Sequence, residues 1–287
     1  MKAIKLASVF AVTAVAAAIS TATFAAEPVF SGNAGVEYVS QNDSTSELSG
    51  TREFEVEVSV DSGIVYAELE FATTGEDDAV QVDMEKLYVK QGAVKFGRFD
   101  GTVATGSFFG MDEYYGGVDL ETGAGNDTDN TGVRYMVTPE LTIALEATNA
   151  AGTEDGEIGF AASYVMDFGG FKAGISGGAV GDANAVNVGV QTVAGPATVS
   201  LNYGTGAKGV TGDTDVELMT ASVAFAASEA LTLTLEYTSD LEAEKSATYF
   251  VGEYAAGDLV YYVKNYAGDA ADLDSAEQTK VGVKASF

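Results

Sequence analysis

Five glutamates stand at every second position of one stretch, EFEVEVSVDSGIVYAELEF, which runs from Glu53 to Phe71. Glu53, Glu55 and Glu57 alternate with Phe54, Val56 and Val58, and Glu68 and Glu70 alternate with Ala67, Leu69 and Phe71. Paired carboxylates can serve as general acid and base. With 43 acidic residues in the chain, however, such pairs arise by chance and carry no specificity. There is no histidine and no cysteine. That excludes Ser-His-Asp and Cys-His nucleophiles and zinc sites built from those ligands. No enzyme, cofactor or dedicated metal site is read from the sequence. What remains to the glutamates is electrostatics, since a row of carboxylates concentrates cations.

The elements that carry them are β-strands. Residues two apart share a face of a strand, so one face of this stretch is apolar and the other acidic. Asp61-Ser62-Gly63 between the two runs is a hairpin turn. No helical periodicity nearby offers a cover for the apolar face.

The N-terminus reads as an export signal. Lys2 and Lys5 precede the apolar run Leu6 to Ile19, and Thr23-Phe24-Ala25 fits a cleavage site, so residues 1–25 form a signal peptide and the mature chain is 26–287. The run is too short to span a bilayer as a helix, and no later stretch approaches ~20 apolar residues. The formal charge of −29 opposes binding to nucleic acid and to anionic surfaces.

The remaining chain repeats the opening pattern. Short connections fall at Asp61 to Gly63, Gln91 to Ala93, Thr138 to Glu140, Asp167 to Gly170, Ala194 to Pro196, Ala227 to Glu229 and Ala256 to Asp258. Longer ones fall near 40–50, 75–79, 100–130, 150–156, 181–184, 204–215, 239–246 and 267–276. Fifteen connections (seven short, eight long) imply about sixteen strands, with fourteen as the other count. Clean apolar faces include Leu141, Ile143 and Leu145, with Thr142 and Glu146 opposite, and Leu231, Leu233 and Leu235, with Thr232 and Thr234 opposite. Strands near 216–225 and 248–254 alternate too weakly to assign a face.

Short turns at one end and long loops at the other are the habit of an all-β transmembrane antiparallel barrel. Such a barrel turns its apolar face to hydrocarbon and its charged face to a water-filled lumen. A soluble sandwich is the rival arrangement. The C-terminus favours the barrel: Val281, Val283, Ala285 and Phe287 share one face, and this resembles the terminal strand that the barrel assembly machinery of bacterial outer membranes reads. Phe287 is therefore an assembly-signal candidate.

Two segments resemble the general, non-specific porins of Gram-negative outer membranes. Leu87 to Asp100 (LYVKQGAVKFGRFD) resembles that family's Tyr-Val strand, Gly turn and Gly-Arg strand. Asp129-Asn130-Thr131-Gly132-Val133-Arg134-Tyr135, followed by Thr138-Pro139, resembles its Asn-x-x-Arg-Tyr strand and turn, with one residue more between Asn130 and Arg134. The resemblance implies a third loop folded into the lumen, facing a basic wall, in a homotrimer with one pore per subunit. Matching positions give Arg98 and Arg134, and location adds Arg52 and Lys95. Acids of the third loop are Asp112, Glu113, Asp119 and Glu121, although the family's Pro-Glu-Phe-Gly-Gly pattern is absent there. Glu53, Glu55, Glu57, Glu68, Glu70 and Glu146 are expected to line the lumen, opposed by few basic groups. Arg98 shares its parity with Val94 and Phe96, so facing the lumen requires a break at Gly97.

The expectation is an outer-membrane porin for passive diffusion of small hydrophilic solutes and ions, preferring cations. A structural or adhesin-type barrel with a plugged or narrow lumen, or a substrate-specific channel, are the alternatives. The absence of Trp and the scatter of the Tyr residues count against a sugar track. Asp127, Asp129, Thr131 and Gly132 echo a calcium loop, but its twelfth position is Thr138. Diffuse divalent binding among loop acids such as Glu76, Asp77 and Asp78 would instead link the barrel to lipopolysaccharide. With no Trp, an interfacial girdle must use residues such as Phe30, Tyr38, Phe71 and Tyr237.

Overall fold

A computed structural model describes residues 27–41, 46–50, 55–73, 80–106, 108–111, 117–120, 131–147, 156–208, 214–269 and 277–287. The strands are β1 (Val29–Gln41), β2 (Glu47–Gly50), β3 (Glu55–Asp61), β4 (Val65–Thr73), β5 (Val80–Gln91) and β6 (Val94–Arg98). Then come β7 (Thr131–Met136), β8 (Leu141–Ala147), β9 (Ile158–Asp167), β10 (Phe171–Val180), β11 (Ala183–Ala194) and β12 (Ala197–Lys208). The last are β13 (Thr214–Ala226), β14 (Leu231–Asp240), β15 (Lys245–Ala256), β16 (Leu259–Gly268) and β17 (Gln278–Ser286).

Except for β2 and β3, which both pair with β1, consecutive strands pair antiparallel with each other. β2 and β3 pair with the second and first halves of β1, so together they fill one position, and the seventeen segments make a sixteen-position barrel. The ring closes where Asn33 to Gln41 of β1 pair with Ser286 to Gln278 of β17. Closure leaves no sheet edge, as a lipid environment demands.

The alternation maps directly onto inside and outside. On β8, Leu145 is 57% exposed and Glu146 is 2% exposed. On β14, Leu235 is 53% exposed and Glu236 is fully buried. The outward face is apolar and the inward face polar, which reverses the pattern of a soluble protein. Phe30, Tyr135, Phe171, Phe225, Tyr254 and Tyr261 are exposed near the tight-turn end and form an aromatic belt there.

Local chemistry sets the turns. Asp61 and Asp167 each accept a hydrogen bond from the N–H two residues on, at 2.8 and 2.7 Å, which closes the turns at Gly63 and Gly169. All seven expected short turns lie between strands. Two expected long connections are in fact tight: Gly181 and Asp182 alone join β10 to β11, and Leu241 to Glu244 join β14 to β15. Gly181 adopts a φ of +56°, which lets the chain reverse in two residues. The connection expected near 40–50 is shortened because β2 already pairs with β1.

Purified protein is expected to be β-rich by circular dichroism, to need detergent for solubility, and to migrate differently on gels before and after boiling. Helical dichroism, or solubility without detergent, would contradict the closed barrel.

Candidate lumen and constriction site

The segment after β6 does not leave the barrel. Thr102, Val103, Ala104, Val118 and Leu120 are buried, and the last four form one apolar cluster with Ala144, Ala161, Val180, Ala183, Ala185, Leu218 and Ala247 of the inner wall. The third loop is therefore docked inside the lumen, as expected.

Side chains of successive strands hold its backbone. Glu146 of β8 accepts from the Val103 N–H at 2.7 Å and from the Thr102 hydroxyl. The Ser176 hydroxyl of β10 donates to the Thr105 carbonyl at 2.6 Å. Asn187 of β11 accepts from the Val118 N–H at 2.8 Å and donates to the Val118 carbonyl at 2.7 Å. The Asn202 amide of β12 donates to the Phe109 carbonyl at 2.6 Å, and the Met111 N–H donates to Ser222 of β13 at 3.3 Å. Met111 then packs against Tyr249, Val251 and Tyr266 of β15 and β16. Each bond satisfies a backbone group that the docked loop would otherwise bury without a partner.

Two glycines of the wall make the seat. A side chain at Gly174 or Gly189 would collide with Phe108; a Cβ on Gly189 would lie 2.8 Å from the Phe108 Cβ. The inner wall of β10 and β11 is thus hollowed where the loop's aromatic residue sits.

Around the loop's base the charges are interlocked. Arg134 donates to the Gly101 carbonyl at 2.6 Å, lies 3.7 Å from Glu146 and stands 4.1 Å over the Phe99 ring. Tyr66, Tyr88 and Phe99 stack in series with centroids 5.1 Å apart. Lys86 pairs with Glu68 at 2.5 Å and with Asp100 at 3.7 Å, and Glu68 also accepts from the Tyr66 hydroxyl.

The candidate residues fall out unevenly. Arg52, Glu53, Asp112, Glu113 and Glu121 lie outside the described residues, and Glu55 is placed only by register, opposite Asn33 and Ala72. Glu57 and Glu70 sit directly across from each other on the inward face, and Ser31 donates to Glu57 at 3.1 Å. Glu68 faces inward too. Glu146 does so as well, but its carboxylate is occupied by the loop and Arg134. Asp119 accepts from the Gly106 N–H at 3.2 Å, within the loop itself. Arg134 and Lys95 occupy directly opposed inward positions. Arg98 pairs with Leu87 and Thr131, the outward parity, and its Nε is buried. Gly97 does adopt an unusual φ of +144°, but the pairing runs through it without a shift.

Sequence reasoning underestimated the basic groups of the wall. Every described basic residue except Arg98 takes an inward ladder position. Lys264 and Lys280 are directly opposed on β16 and β17, and Lys264 and Lys284 both lie near the Tyr262 ring, at 5.6 and 5.7 Å. The signal was available: each lysine sits on the polar parity of its strand. The expectation of few opposing bases is corrected accordingly, since acids and bases share the inward faces and the acidic excess falls in the sequence between strands.

No family model matches this chain, and no curated protein matches it by sequence. Solved structures do. OmpT of Vibrio cholerae, an outer membrane protein in trimer form, superposes with a TM-score of 0.61 at 16% identity over 92% of this chain and 100% of that one. OmpF of Salmonella typhi in complex with daunomycin gives 0.63 at 13% identity, over 91% and 98%. A mutant of the Rh. blastica porin gives 0.59 at 16% identity, over 91% and 100%. At these identities the likeness is one of fold: this chain shares with those porins a closed sixteen-strand antiparallel barrel.

Proposed function

We propose that this protein forms a water-filled channel in the outer membrane of a Gram-negative bacterium. Small hydrophilic solutes and ions cross it by passive diffusion, with a modest preference for cations. The observation that carries this reading is the one-sided position of the loop. Its described contacts run from β5 round to β16, and the wall of β17, β1, β3 and β4 keeps inward charges such as Glu57 and Glu70. A lumen lined with charge on that side holds water, so a plugged structural barrel is the weaker reading. Residues 1–25 act as the export signal, assembly passes through the barrel assembly machinery, and lipopolysaccharide surrounds the rim. The trimer form of the Vibrio cholerae neighbour supports a homotrimer here.

The wall's mixed charge makes the selectivity mild. The negative excess lies in the sequence between strands, which carries Glu76, Asp77, Asp78, Asp269, Asp272 and Asp274. Such a field acts over a Debye length of about 10 Å at 0.1 M salt, so the preference should fade as salt rises. In planar bilayers the protein should give discrete current steps, and a potassium chloride gradient should give a reversal potential of cationic sign. Glu57→Gln with Glu70→Gln should reduce that potential. Failure to open any current path would return the barrel to a structural role, and an anionic reversal potential would refute the charge assignment.

A further inference from the structure

Beneath the docked loop, on the tight-turn side, lies a cavity of about 340 Å³ lined by Lys95, Arg134, Thr102, Thr105, Thr142 and Ser163, among others. We propose that this cavity is a binding site for a small oxyanion of the phosphate type. The proposal rests on the channel reading only for the route by which the anion arrives.

Three bases occupy one ladder row there. Lys90 is directly opposite Lys95 across β5 and β6, and Lys95 is directly opposite Arg134 across β6 and β7. Like charges at directly opposed positions repel. In a chain with 14 basic and 43 acidic residues, carboxylates could have neutralised all three. The outer two have carboxylate partners, Lys90 in Asp61 at 2.5 Å and Arg134, less closely, in Glu146 at 3.7 Å. Lys95, between them, has no carboxylate partner among the described residues; its ammonium stands 5.2 Å over the Tyr88 ring. A face of an aromatic ring holds a cation in place without cancelling its charge toward the other side.

Arg134 adds a second cationic donor: its side chain lines the same cavity and keeps 20% of its surface exposed. The site thus presents one ammonium, one guanidinium and several hydroxyls, with no carboxylate among its lining residues. Glu146, 3.7 Å from Arg134, has both oxygens engaged by Thr102, Val103 and Arg134. Charge-assisted donors in this arrangement suit a compact anion with several acceptor oxygens. Its volume, at the lower end of small-molecule sites, leaves room for a short organic group beyond the phosphate.

Titration of inorganic phosphate into the protein in a phosphate-free detergent, followed by phosphorus NMR, tests the site without requiring conductance. Wild type should broaden the signal saturably. Lys95→Gln should bind about tenfold to a hundredfold more weakly, the scale of one lost charge-assisted contact, and Lys95→Arg should restore binding. Heat-dependent gel migration confirms that each variant is folded. Equal broadening by wild type and Lys95→Gln, or none by wild type, overturns the proposal. In bilayers, phosphate added on the turn side should reduce the potassium chloride current of wild type and not of Lys95→Gln. Absence of current in every variant would refute the channel while the NMR titration still decides the site.

Discussion

Replacing Asn187 with leucine should release the returning limb of the third loop and make the channel more conductive and noisier. Asn187 is fully buried, and its amide forms both an N–H and a C=O bond with Val118, as one more strand rung would. Leucine fills a similar volume and pairs with neither group. Two orphaned backbone groups would cost about 2–6 kcal/mol if the limb stayed in place. Water in the lumen can satisfy both, so undocking is the cheaper outcome, and every 1.4 kcal/mol shifts the docked population about tenfold. Asn187→Asp keeps the acceptor for the Val118 N–H and should give an intermediate phenotype. Single-channel conductance and open-channel noise identical to wild type in Asn187→Leu would show that Val118 and Leu120 hold the limb by apolar contact alone.

Removal of Phe287 should reduce the amount of assembled protein in the outer membrane severely while export to the periplasm continues. Its backbone N–H and C=O exchange bonds of 3.0 and 3.1 Å with Gly32, the final rung of the closing seam. Each such bond contributes about 0.5–1.5 kcal/mol. The residue is 63% exposed on the outward face, so packing within the protein does not explain an aromatic side chain there. Phe287→Ala separates the two roles because it keeps the rung and removes the ring. An assembly defect in both variants assigns the signal to the ring, and a defect in the deletion alone assigns it to the seam. Normal surface levels of both would refute any role for the terminus.

The barrel was legible in the sequence because most strands face lipid on one side and water on the other, and that contrast is what alternation records. It failed where the contrast disappears. On β13, Val216 and Leu218 face inward yet are apolar, because the docked loop packs on them. Tyr249 and Val251 of β15 do the same beneath Met111. The residues near 216–225 and 248–254 were ambiguous for that reason: both faces of those strands are dry. The loop's position was readable from resemblance, but its fastenings were not. Ser176, Asn187, Asn202 and Ser222 are ordinary small polar residues of a lumen wall, and nothing in their spacing marks them as partners of a segment tens of residues away. Glu146 was legible as inward and illegible as a loop anchor, since parity gives direction without contact.

The one-sided seat of the loop bears on how such a barrel could be adapted as a molecular sensor. Among the described residues the loop covers β10 to β13 and leaves Glu57 and Glu70 on the other arc of the wall, so a translocating analyte would meet the two arcs differently. Recognition groups grafted on β10 to β13 would be hidden behind the loop, whereas the same groups at Glu57 or Glu70 would meet each passing molecule. The hollow at Gly174 and Gly189 that seats the loop thereby decides which part of the wall a passing molecule can read.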